Sequence, residues 1–214
     1  MSLAPKVSIA QFHYTDLGAA WRLSTVLMET IPFGVGPLLF CCIGTDRSTG
    51  DALGPLTGSL LEALPSFPYE VIGTLDKPLH ALNLRERLDD LYGRYEEPYI
   101  VAIDACLGHV DNIGKIILQD GPLLPGKAVK KELPPVGDLA IKGVVNVAGF
   151  MEFSVLQNTR LHLTYEMSRL LVRAISLAWH RHHIKIVENR HDDCNDYDTR
   201  DQISDPDLRE ANHI

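Results

Sequence analysis

The chain has few cysteines, and Cys41, Cys42, Cys106 and Cys194 form neither a CxxC pair nor a zinc-ligand spacing. Three of the four fall in or beside expected buried strands, where cysteine packs as a small hydrophobe. A nucleophilic Cys106 would need a base, and the nearby His109 does not establish such a pair by spacing. No apolar run approaches the length of a membrane span, and residues 1–6 lack a secretory signal, so a cytoplasmic location is expected. Cations are outnumbered 20 to 28. The resulting charge of −8 argues against a nucleic-acid or membrane-surface binder. There is no internal repeat.

What is present suits a folded enzyme-sized domain. A length of 214 residues, 45% apolar and 22% charged, can bury a full core. The expected organisation is one α/β domain over 1–183 and an acidic, disordered tail over 184–214.

The chain is organised around residues 38–64, LLFCCIGTDRSTGDALGPLTGSLLEAL. Residues 38–43 are apolar without alternation, as a strand covered on both faces requires. A Gly-bounded polar loop follows, and Leu53, Leu56, Leu60, Leu61 and Leu64 then recur at helical spacing. Asp51 stands at the start of that helix, where a carboxylate can cap orphan amides. It also stands where open α/β sheets bind ligands, beyond the carboxyl end of a strand. A second apolar run, 99–103, leads directly into Asp104, so two strands are expected to end in an acid on one sheet edge.

Further elements complete the pattern. Helices are expected over 16–30, 76–95, 150–157 and 161–179, after an irregular start, and strands over 69–73, 114–119 and 142–148. Strand–helix alternation of this kind predicts a three-layer α/β/α fold with a largely parallel or mixed sheet. The Pro- and Gly-rich stretch 121–135, with Lys127, Lys130 and Lys131, reads as a long loop at the functional edge. Asp138 is either a turn residue or a third acid.

Three chemistries fit the central loop. Phosphate binding suits its backbone amides, but GTDRSTGD has neither a P-loop lysine nor the G-x-G-x-x-G fingerprint. Paired carboxylates suit hydrolysis, because close like charges separate two ionisations into a base and an acid. The candidates are Asp51 and Asp104. The same acids could hold a divalent cation, given further oxygen donors. Thr45, Asp46 and Arg47 are expected to orient a substrate or to bond within the turn, and Arg47 could hold a neighbouring acid ionised.

IGTDRSTGDALGPLTGSLL, then IVAIDACLG, then GVVNVAGFMEFSVLQNTRLHL, in that order, resemble the YyaC family of sporulation proteins. That family is related to the germination protease that degrades small acid-soluble spore proteins, and more distantly to the HybD-like hydrogenase maturation endopeptidases. The resemblance implies a phosphorylase/hydrolase-like α/β fold with Asp51 and Asp104 in the positions of the germination protease's two catalytic aspartates. It further implies a protein or peptide substrate, no cofactor or resident metal, and work in the sporulating cell or spore. The maturation enzymes add a histidine, whereas the region before the last strand here reads Pro134-Pro135-Val136-Gly137-Asp138. The alternatives are a metal-dependent maturation-type peptidase and an inactive spore protein that uses the cleft for binding.

Overall fold

Leu38–Cys42 (β2) is buried along its whole length, as its unbroken apolar run requires. The computed structural model describes residues 8–126 and 133–201, with side chains of the last helix through 188. Among them Ser8–His13 (β1), β2, Glu70–Ile72 (β3), Tyr99–Gly108 (β4), Lys115–Asp120 (β5) and Leu139–Val147 (β6) form one sheet, ordered β1-β5-β6-β4-β2-β3. The four strands β3, β2, β4 and β6 run parallel. Strands β5 and β1 join antiparallel, so the sheet is mixed.

Helices cover both faces. Ala19–Thr30 (α1), Leu53–Glu62 (α2) and Leu161–Asp201 (α5) bury Leu23, Leu27, Leu53, Leu61, Leu171 and Ile175 against Phe40, Val101, Ile103 and Ile141. On the other face Leu84–Arg94 (α3) packs Leu84, Leu88 and Leu91 against Leu39, Cys41, Ile100 and Ala102. Alternate residues of β2 and β4 thus feed two cores, the signature of a doubly covered sheet. The short Glu152–Gln157 (α4) follows β6.

Several element boundaries differ from the sequence reading. The irregular start contains β1, an edge strand whose Phe12 reaches the core. The helix expected from 76 begins only at Leu84, because Pro78 disfavours helix before it and Leu79 is taken into the sheet beside Ile43. The last helix does not stop at Trp179 but continues to Asp201, with no Gly or Pro from 161 to 201 to break it. Its continuation is pinned, since Arg181 stacks 3.9 Å over the Trp21 ring and donates to the hydroxyls of Ser24 and Thr25. Residues 184–201, expected in the tail, are therefore helical, and residues 202–214 lie outside the described residues. No described helix is long and apolar enough to cross a membrane.

Candidate active site

The loop after β2 folds back on itself. Thr45 N–H donates to the Asp51 carbonyl at 3.2 Å, and a Cβ on Gly44 would fall 2.0 Å from that same oxygen. Only glycine closes the turn so tightly, and it does so at φ 147°. Farther on, Gly50 N–H bonds the Leu156 carbonyl at 2.9 Å, and the Thr49 hydroxyl meets the carbonyls of Gln157 and Thr159 at 2.9 and 2.6 Å. The loop is thereby braced against α4. Asp51 does not cap α2, whose N-cap is Ala52 with no side-chain cap bond. Its carboxyl is left available for other work.

Asp104 lies inside β4, not beyond its end as the sequence suggests. The β2 ladder on β4 ends at Cys42 opposite Ile103, with a last bond of 2.7 Å from Ile43 N–H to the Ile103 carbonyl. β4 runs on to Gly108 because β6 continues to pair with it, opposing Lys142 to Asp104. Asp104 is thus the first β4 residue past β2. The order of strands also reverses here, since β3 lies on one side of β2 and β4 on the other. Such a switch point opens a crevice at the carboxyl ends of the strands.

The two acids sense each other. Burial raises the Asp104 pKa well above the ordinary carboxylate range and the charge of Asp51 raises it further, while the Ala105 N–H and Lys142 oppose. Burial also raises Asp51, with Ser48 drawing it partly back. The Ser48 hydroxyl is close to Asp51 but not well aligned, for it is buried without a hydrogen bond of good geometry. By surface area both residues are half-buried. Burial and the neighbouring charge both favour the protonated form, so the two acids resist ionising together.

Other candidates from the sequence fall elsewhere. Asp46 and Arg47 are exposed, and neither contributes to the shift of either acid, so Arg47 does not hold a neighbour ionised. The Thr45 hydroxyl accepts the Arg47 N–H at 3.3 Å, a turn bond. Asp138 accepts the Ile100 N–H at 2.9 Å at the amino end of β4, four residues or roughly 13 Å from Asp104 at strand rise. It is not a third acid of the site. His109 is exposed and pairs with Asp111 at 3.1 Å. Among the described residues no group of three or more His, Cys, Asp or Glu could hold a metal, and Lys127, Lys130 and Lys131 lie outside them.

Two residues gain a place that their sequence positions did not signal. Ser48 reads as one more polar loop residue. Lys142 reads as the start of a strand, yet its register opposite Asp104 puts it on the same face of the sheet. Its ammonium donates to Gln119 Oε1 at 2.7 Å.

Comparison with known proteins agrees with this architecture. Residues 11–174 match the family model described as "Protein of unknown function (DUF1256)". The chain is 47% identical over 166 residues to the Bacillus subtilis (strain 168) "Uncharacterized protein YyaC", covering 77% of this chain and 81% of that one. Among solved structures it resembles the [NiFe] hydrogenase maturation protease HycI from Thermococcus kodakarensis KOD1, with a TM-score of 0.50 and 21% identity over 72% of this chain and 98% of the other. At that identity the likeness is one of fold, a mixed sheet between helices. The chain belongs to the DUF1256 family, with YyaC as a relative.

Proposed function

We propose that this DUF1256 member is an endopeptidase of the sporulating cell or spore, cytoplasmic in location, that hydrolyses a peptide bond between Asp51 and Asp104. One observation carries the reading: two acids from separate segments meet at the switch point, coupled, both raised in pKa, and neither spent on capping. On this reading the acid that burial raises more, Asp104, holds the proton and Asp51 acts as the ionised partner. Asp51 takes a proton from water as the oxygen attacks the scissile carbonyl carbon, and the Asp104 hydroxyl donates to the carbonyl oxygen. The proton then passes from Asp51 to the leaving nitrogen as the C–N bond breaks, while a hydroxyl of the tetrahedral intermediate returns its proton to Asp104. The sporulation setting rests on the resemblance carried by the three segments quoted above.

A protein substrate is supported by the surroundings. Phe150 and Met151, 92% and 68% exposed, stand with Val147 and Phe153 at the carboxyl end of β6, beside the helix that braces the loop. Met151 adopts a left-handed backbone (φ 56°), a conformation uncommon outside glycine and asparagine. Clustered exposed apolar side chains mark interaction surfaces more often than solvated ones. On this proposal they receive apolar residues flanking the scissile bond, with Thr45, Asp46 and Arg47 lining the opposite approach.

The test is cleavage of a proteome-derived peptide library, with new termini identified by mass spectrometry. Wild type should generate termini that vanish in D51N and in D104N, both folded. Termini that persist in both variants, or none with wild type, would overturn the reading.

A further inference from the structure

Lys142 is a charged residue in the middle of a strand, where a cation needs a reason. Its neighbours supply one on each side: Gln119 of β5 accepts its ammonium at 2.7 Å, and Asp104 of β4 is its register partner. Strand alternation puts Lys142 and Asp104 on one sheet face, with Cβ atoms about 5 Å apart. The polar row runs Gln119, Lys142, Asp104, Asp51, across three strands and into the loop.

We infer that Lys142, steadied by Gln119, is a positioning residue that supplies the counter-charge for the acid pair. This goes beyond the proposed function and stands on the geometry of Gln119, Lys142 and Asp104. A half-buried pair with one shared proton carries one negative charge, which is costly unless a cation faces it. With Lys142 in place the site is neutral overall. Besides Asp51 from the loop and Lys142 from β6, strand alternation puts Cys106 of β4, Lys115 of β5, Cys41 of β2 and Glu70 of β3 on that face. Lys115 is held by Asn112 and Glu70 by Arg94 of α3, whose Leu84, Leu88 and Leu91 supply the apolar packing. Lysine suits the task because its compact ammonium can serve Gln119 and Asp104 together, where a guanidinium would demand a planar fork. The effect assigned to Lys142 passes through Asp104, whose carboxyl pKa it pulls downward.

The experiment is NMR titration of aspartate side-chain ¹³Cγ and lysine ¹⁵Nζ signals in the full chain. In K142M the Asp104 midpoint should move up by about one pH unit or more, and K142R should return it most of the way. In wild type the Lys142 ¹⁵Nζ signal should show a step at the Asp104 midpoint, absent from D104N, a readout that survives if K142M fails to fold. An unchanged Asp104 midpoint in folded K142M, or no shared step in wild type, overturns the inference. Peptide cleavage is measured alongside. If wild type cleaves nothing while the shared step is present, the peptidase reading fails and the Lys142 assignment stands. If cleavage occurs, K142M should move its basic limb upward and lower kcat more than it changes KM.

Discussion

Two carboxylate clusters in this protein are built on opposite electrostatic plans. At the β3 edge Glu70 meets Arg94 through two bonds of 3.1 and 2.9 Å and accepts from the Tyr95 hydroxyl, and Asp90 joins at 3.2 Å. The Arg94 bond pulls the Glu70 pKa down. At the switch point burial raises both Asp51 and Asp104, and the charge of Asp51 raises Asp104 further. In the first cluster the pull of the arginine wins, and in the second burial outweighs Ser48, Lys142 and the Ala105 N–H. A cavity of about 180 Å³ lies along β3 and is lined by Glu70, Lys77, Arg87 and Arg94, but it contains neither acid of the pair. That cavity belongs to the satisfied cluster, whereas two raised acids at a topological switch point mark the other.

The contrast breaks hardest at the pair. D51N or D104N should lower peptide cleavage by about 10²–10⁴-fold, measured as the rate of new termini. Stability should move the other way. Because the Asp104 pKa is raised on folding, its contribution to stability is fully present below the unfolded carboxylate range and is lost as pH rises through the folded value. D104N should thus become more stable than wild type as pH rises through the folded Asp104 value, by on the order of 1–3 kcal/mol, the gap closing as the pH falls, read by thermal unfolding across pH. A site that gained nothing from D104N at high pH would be an ordinary satisfied cluster after all.

The rim provides a subtler cut. F150S/M151S, both exposed, should leave the melting temperature near wild type and cost about tenfold in kcat/KM through KM, with cleavage profiles losing their preference for apolar residues beside the scissile bond. The smallest effect belongs to the satisfied cluster. Glu70 is lowered on folding, so its contribution is present above the unfolded glutamate range and fades as pH falls through the folded value. E70Q should lower the melting temperature slightly at pH 7, converge with wild type in acid, and leave cleavage untouched. Exposure of both partners keeps that effect small.

Much of this was legible along the chain. The apolar runs became β2 and β4, the leucine spacing became α2, and the strand–helix alternation became a mixed sheet between helices. Asp51 and Asp104 were visible because each follows a buried run. What misled were features that depend on distant partners. β4 outruns its apolar stretch because β6 continues to pair with it. The last helix outruns Trp179 because nothing breaks it and α1 grips Arg181.

The sequence alone determined the elements and the two acids, since burial of a run and the period of a helix are properties of neighbouring residues. Tertiary structure decided what those acids are. Strand order brings Asp51 beside Asp104 across 52 intervening residues, β6 register sets Lys142 on the same face, and the early α2 N-cap at Ala52 leaves Asp51 uncommitted. Pairing between remote strands fixes which side chains share a dry crevice, and a carboxylate's proton affinity follows from that company.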